Sequence, residues 1–397
     1  MFYPCKVCEV LVIMRFMNQP IIIIGGGASA LMLASLLPPN SAVVIDANAK
    51  PGAKIRISGG GKCNITNEKM DAGYYLGESG FVTSVLRRFD EKRLLKWLEG
   101  HGLHPVLRKE SQYFCPRSSE ELLDILLRQS RKQKFLQNEQ VLDVRKRGTN
   151  FYVKTNRRTL TSEYVVVASG GLSFPKLGAS GIGYEIAEHF GHTVTKTAPA
   201  LVGFTVQKEQ FFFKELSGVS TDVVIDVNGN VCQGSLLFAH KGISGPAVLD
   251  ASLYWEKGKI TVDFLSGFNW KRLCSSKKQI SSVLPMPKRV TKAFLLQLDI
   301  EDKAGGALSP DEIQRLKSLQ AYTFAPAGTF GYSKAEVTRG GVLTEEIDAK
   351  TMESRNEKGL FFIGEVQDVT GRLGGYNFQW AFSSAYVCAQ SMKRGRR

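Results

Sequence analysis

Four successive isoleucines at 21–24 run into Gly25, Gly26 and Gly27, after which Ala28, Ser29 and Ala30 open a helix-forming stretch. Gly25 permits a tight turn, and Gly27 lets the backbone approach a pyrophosphate. The helix over 28–37 turns its positive N-terminal end toward that anion. Asp46 closes the next apolar run, Val43, Val44 and Ile45. It falls about 20 residues on, where a carboxylate accepts hydrogen bonds from a ribose 2′-hydroxyl. Strand, glycine turn, helix and acid together read as a dinucleotide-binding βαβ unit. Flavin or nicotinamide chemistry is therefore the first expectation.

The chain of 397 residues exceeds the length at which one core stops growing, so the unit should share the chain with a second domain or a large insertion. Seven cysteines, odd in number and widely spaced, argue against a disulfide framework and for a reducing cytoplasm. Cys5 and Cys8 form a C-x-x-C that no second pair completes, so no metal site is expected. Residues 1–17 carry Lys6, Glu9 and Arg15, lack a small-residue cleavage site and are too short to span a bilayer. They read as an extension, with Met14 or Met17 as the true start. The net charge of +15 raises the question of a nucleic-acid partner. The cations fall in short groups, among them Lys277 and Lys278, and Lys288 and Arg289, without interleaved aromatics. A basic surface is the plainer reading, and an RNA-binding face is kept as its rival.

Boundaries follow from texture. Residues 18–194 carry the βαβ unit, helices near 82–89 and 91–98, a capping box at 118–121 before a helix over 122–129, and a buried strand at 164–168. From 195 the texture turns antiparallel, with a turn at Asn228, Gly229 and Asn230 and a charged, helical stretch over 268–319 that has its own start signal at Ser309. After 330 the glycine-rich texture returns through 331–397, ending in a helix from about Asn377 and a basic tail. A cofactor domain interrupted by a substrate domain over 195–330 follows.

The densest polar motif is Ser58, Gly59, Gly60, Gly61, Lys62, Cys63, Asn64, Ile65, Thr66 and Asn67. Its glycines allow backbone to approach a flat ring or a diphosphate, and its polar groups supply contacts. Cys63 suggests a redox disulfide, but 65–71 holds no cysteine and the next is Cys115, so a packed thiol is the better reading. The second strong motif runs from Gly364 and Glu365 through Gly374, Gly375, Tyr376 and Asn377. Glu365 can hold ribityl hydroxyls, and the glycine pair can stabilise charge that develops on a reduced flavin.

With Gly170 to Pro175, Gly178 to Gly183 and Phe238 to Pro246, these motifs make the chain resemble the bacterial FAD-dependent oxidoreductase family that includes aminoacetone oxidase and a bile-acid-pathway flavin reductase. More distantly it is similar to the flavoprotein subunits of fumarate reductase and succinate dehydrogenase. It departs from the family at Asp46, where glutamate is usual, at Ala30 and at Ala239. The resemblance implies an α/β fold with a glutathione-reductase-like FAD-binding Rossmann domain, interrupted by a β-rich domain with a small helical lobe. It also implies FAD held non-covalently by Gly25, Gly27, Ala28, Ser29, Asp46, Ala47, Lys54, Ser58, Gly59, Gly60, Gly61, Lys62, Cys63, Asn64, Thr66, Val141, Ser169, Gly170, Gly364, Glu365, Gly374, Gly375, Tyr376 and Asn377. No second strand-glycine-helix unit is present, so NAD(P)H would dock only transiently. His240, in a strand-to-glycine loop of the insertion, is the candidate proton carrier, and Arg339 the candidate partner of an anionic substrate. The expectation is a cytoplasmic oxidoreductase acting by hydride transfer at flavin N5 on a small molecule between the two domains. The alternative is a flavin-containing RNA-binding or tRNA-modifying protein.

Overall fold

A computed structural model describes residues 17–18, 21–109 and 111–394. Cys5, Cys8, Met14 and the end of the basic tail lie outside them. The isoleucine run forms the central strand, Ile22–Ile24, of a five-stranded parallel sheet. Its order is Leu360–Phe362, Val165–Val167, Ile22–Ile24, Val43–Ile45 and Lys134–Leu136. The first four are buried at every position, as parallel strands covered on both faces must be. Helix Ala28–Leu36 packs between Glu120–Ser130 and Tyr376–Arg394, so the last helix of the chain completes the cover of the first strand. A small antiparallel layer built on Val141–Arg147, Asn150–Thr155 and Thr159–Ser162 adds Val144, Phe151 and Leu160 to the same core.

Residues 204–324 enclose a second core. Its seven-stranded antiparallel sheet runs Tyr322–Phe324, Ile260–Asp263, Ser220–Val227, Asn230–Ala239, Gly242–Ser244, Phe204–Thr205 and Gly328–Thr329. Asn228 and Gly229 both take positive φ, 54° and 84°, which makes the two-residue hairpin turn whose twist matches its strands. Helix Pro246–Tyr254 packs on Asn230–Ala239, and Trp270–Cys274, Lys288–Gln297 and Pro310–Lys317 make a helical lobe. The chain leaves and re-enters the parallel-sheet core through one ladder, Ala198–Ala200 against Val337–Arg339. This is an α/β Rossmann architecture carrying an antiparallel insertion.

The two helix-start signals behave differently. Ser309 accepts from the Glu312 amide and Glu312 reaches back to the Ser309 amide, a complete capping box. The box at 118–121 forms only in its carboxylate half: the Ser118 amide donates to Glu121 Oε2 at 3.2 Å, while neighbouring Ser119 makes no side-chain cap and donates to the Arg56 carbonyl at 2.8 Å. The Ser119 bond braces the segment before the triple glycine. No described helix is long and apolar enough to cross a membrane.

Candidate functional site

A cleft of about 880 Å³ opens at the C-terminal end of Ile22–Ile24 and runs to the inserted domain. The size suits a large cofactor with space for a reactant. At its first end lie Gly25, Gly27, Ala28 and Ser29. Gly25 has φ +105°, and a Cβ there would meet the Ala168 carbonyl, so only glycine fits the turn. Gly26, to which the sequence assigned no role, is needed because a side chain would collide with the Asp46 carboxylate. A Cβ on Gly27 meets nothing within 4 Å. Gly27 caps helix Ala28–Leu36 in extended geometry with no side-chain cap bond, so the helix start is left free for an anion.

Asp46, Ala47 and Val141 line the same end. Asp46 is 7% exposed, and burial raises its carboxyl above the usual carboxylate range, opposed by the Asn48 amide (3.0 Å) and Asn48 Nδ2 (3.2 Å). The middle of the cleft is walled by Lys54, Ser58, Gly59, Gly60 and Asn64 on one side and Ser169, Gly170 and Glu365 on another. Lys54 pairs with Glu365 Oε2 at 2.8 Å, while Glu365 Oε1 accepts from the Thr338 amide at 3.0 Å. Gly60, at φ +66°, has open space where a Cβ would stand, and Asn64 Oδ1 is buried without a hydrogen-bond partner. Two vacant Cβ positions, an uncapped helix start and an orphaned acceptor fit a flavin dinucleotide lying along this wall. Gly374, Gly375 and Asn377 line the far end.

Six cofactor candidates do not reach the cleft surface. Gly61, Lys62 and Cys63 turn toward Ser119 and Cys115, whose amides donate to Gly61 O at 2.8 Å and Lys62 O at 3.0 Å. Thr66 is fully buried and donates to Gln379 Oε1 at 2.6 Å. Gly364 packs on Ser29, and Tyr376 stacks on Tyr74 with centroids 4.9 Å apart. These six support the wall from behind. Gly375 has φ +94° and a Cβ there would lie 2.7 Å from the Thr66 backbone, so this glycine serves packing as well as the cleft.

Both catalytic candidates lie elsewhere. His240 is exposed in the turn between Asn230–Ala239 and Gly242–Ser244, whereas the cleft meets that strand at Gly234 and Ser235. The second half of the strand separates them. The Arg339 guanidinium is spent on the Leu253 carbonyl at 2.7 Å and Glu256 at 2.9 Å, which ties the ladder to helix Pro246–Tyr254. The sequence also left Cys63 without a partner, and the structure supplies one. Asn64 pairs with Phe114 across an antiparallel ladder, which sets Cys63 beside Cys115. Their thiols hydrogen-bond, which together with burial holds the Cys63 thiol well above its ordinary range and lowers that of Cys115.

The groups that face the reactant end are others: Lys109, Gln112, Glu336 and Arg372. Arg372 donates Nε and Nη2 to Asp250 Oδ2 at 3.1 and 2.9 Å, while Asp250 Oδ1 accepts from the Leu373 amide. Glu336 makes no side-chain hydrogen bond or ion pair among the described residues. Protein surrounds it on most sides, yet it stays open to the solvent of the cleft, and desolvation raises its carboxyl despite the opposing charge of Lys54. The only local signal for either was proximity: Glu336 stands just before Thr338 and Arg339, and Arg372 stands between Gly371 and Gly374.

Fold and cleft together define a flavoprotein of the oxidoreductase type, with FAD as its cofactor. Over residues 19–391 the chain matches the HI0933-like protein Rossmann domain, and it belongs to that family. Among its relatives, ribosomal RNA dihydrouridine synthase of Escherichia coli is 41% identical over 365 residues, 88% of this chain and 91% of that protein. The protein of the same name from Haemophilus influenzae is 38% identical over 372 residues, 89% and 93% of the two chains. The 3-dehydro-bile acid delta(4,6)-reductase of Clostridium scindens is 29% identical over 380 residues, 88% and 91%. Escherichia coli quinol fumarate reductase shares the fold at a TM-score of 0.52 and 13% identity, covering 96% of this chain and 71% of that one.

Proposed function

We propose that the protein reduces uridine in ribosomal RNA to dihydrouridine. What carries the reading is the 41% identity over 88% of the chain to an enzyme of that name, joined to a cleft whose reactant end holds an unpartnered carboxyl. The reaction adds a hydride to carbon 6 and a proton to carbon 5 of the uracil ring, so the double bond between them becomes single. FAD bound along the glycine wall supplies the two-electron chemistry, with NAD(P)H as the transient source of electrons. Glu336, whose carboxyl desolvation raises above the usual carboxylate range, would deliver the proton. Arg372 keeps Nη1 unused by Asp250 for an imide carbonyl. Lys54, fixed by Glu365, sets positive charge where negative charge develops on reduction.

The test is anaerobic incubation of the purified protein with NADPH and rRNA from cells lacking the gene, followed by nucleoside mass spectrometry. Dihydrouridine should appear with wild-type protein. Its absence, with flavin reoxidised instead by an unsaturated small molecule, would return the protein to metabolite chemistry of the kind named for the Clostridium relative.

A further inference from the structure

Between Asp263 and Asp299 the chain has no acidic residue and seven cations: Lys271, Arg272, Lys277, Lys278, Lys288, Arg289 and Lys292. All seven are exposed. Among the described residues none forms an ion pair. Of the lobe's acids, Glu312 pairs with Lys303, Asp311 with Arg315, and Asp302 accepts from Ser281, and Arg289 donates to a backbone carbonyl, that of Glu215. The cations lie on one lobe, on elements that share its core. Lys271 and Arg272 flank buried Leu273 in Trp270–Cys274, and Lys288, Arg289 and Lys292 lie opposite buried Val290, Phe294 and Leu295 in Lys288–Gln297. The carbonyls of Lys278 and Ser276 accept from Gly305 and Gly306, which pins the loop between those helices.

Resting on the dihydrouridine reading above, we propose that this lobe is the phosphate-binding surface for the RNA substrate. Unpaired surface cations repel one another, and a polyanion relieves that repulsion while releasing its own counterions. The opposite arrangement holds on the sheet face that carries Ser235. Cross-strand register puts Asp222 beside Ser235, Asp226 beside Val231 and Asp263 beside Val224. Phosphates are therefore repelled from that face and attracted to the lobe. Phe294 of Lys288–Gln297 packs on Phe213 at 6.0 Å, and Phe213 on Phe238 at 5.1 Å, in the strand whose Gly234 and Ser235 line the cleft. RNA held by the lobe is thus held at a fixed position relative to the reaction site.

The experiment compares wild-type holoprotein with a variant carrying Lys271→Gln, Lys277→Gln, Lys278→Gln and Lys292→Gln. Affinity for an rRNA fragment is measured by fluorescence anisotropy over a salt series, and dihydrouridine is measured in the same samples. All four side chains are exposed, so flavin content and melting temperature should be unchanged. Each phosphate that is no longer neutralised takes about 0.7–0.9 from the slope of log affinity against log salt. The variant should lose roughly 3 from that slope, bind on the order of 10- to 100-fold more weakly at low salt, and make dihydrouridine in proportion. Wild-type slope and yield in the variant would overturn the lobe assignment while leaving the uridine reading intact. Wild-type protein that makes no dihydrouridine would overturn both. Equal salt-dependent binding to anionic vesicles, with no preference for RNA, would overturn the lobe as an RNA surface.

Discussion

Gly27 and Gly375 look alike in sequence, each in a glycine motif that opens a helix, but their surroundings predict different failures. Gly27→Val puts a side chain into empty cleft space, so FAD affinity should fall while the stability of the flavin-free protein stays within about 0.5 kcal/mol of wild type. Even Gly375→Ala meets the Thr66 backbone and a left-handed φ, and should cost roughly 1–3 kcal/mol of stability before any flavin is bound. Flavin titration and chemical denaturation of the two variants separate the effects. Glu336→Gln should lower turnover by ~10²- to 10⁴-fold with flavin binding intact, in line with loss of a proton donor. It should also change the pH profile of stability. Glu336 binds its proton more tightly folded than unfolded, so wild type loses stability as pH rises from the ordinary carboxylate value through the raised one. The variant lacks that decline. Gly25, Gly27 and Asp46 were legible because turn, strand end and acid are neighbours along the chain. Glu336 and Arg372 were not, since nothing local tells which side chain of a returning segment faces an interdomain cleft. His240 and Arg339 drew attention as chemically capable residues beside glycines, but position along a strand and a prior ion pair decide what they do.

At the scale of elements, two serines at helix starts have different uses. Ser309→Ala should cost about 1 kcal/mol, the usual loss for a capping serine, with no effect on flavin. Ser119→Ala removes a bond to Arg56 O and no cap, so helix Glu120–Ser130 should persist while the Ser58–Gly61 segment loosens and FAD affinity drops. Urea denaturation and flavin titration distinguish the two variants. Parallel strands, the hairpin at Asn228 and Gly229, and the final helix could be read from apolar runs and turn residues. The direction of Ser119 could not, because its partner lies 63 positions away.

The molecule as a whole has two large cores joined by one ladder, on which a small apolar cluster of Ala200, Leu201, Leu253 and Val337 is built, and the cleft is the space between the two. Its second tie is the Arg372–Asp250 pair, which links the returning segment to helix Pro246–Tyr254 with side chains 26% and 13% exposed. A double-mutant cycle with Arg372→Gln and Asp250→Asn should show coupling of roughly 1–3 kcal/mol, read by thermal denaturation with FAD present. The insertion was legible from the change of texture at 195 and the return of glycines after 330. The basic lobe was less so: seven cations in an acid-free stretch are visible in the sequence, but that they share an exposed lobe is a fact of packing. The buried thiols of Cys63 and Cys115, behind the triple-glycine wall, give this cleft a built-in clock. Buried thiols meet a maleimide only through local opening, so labelling read at these two positions, apart from exposed Cys274, should count such openings, and saturating FAD should slow the count in proportion to its occupancy.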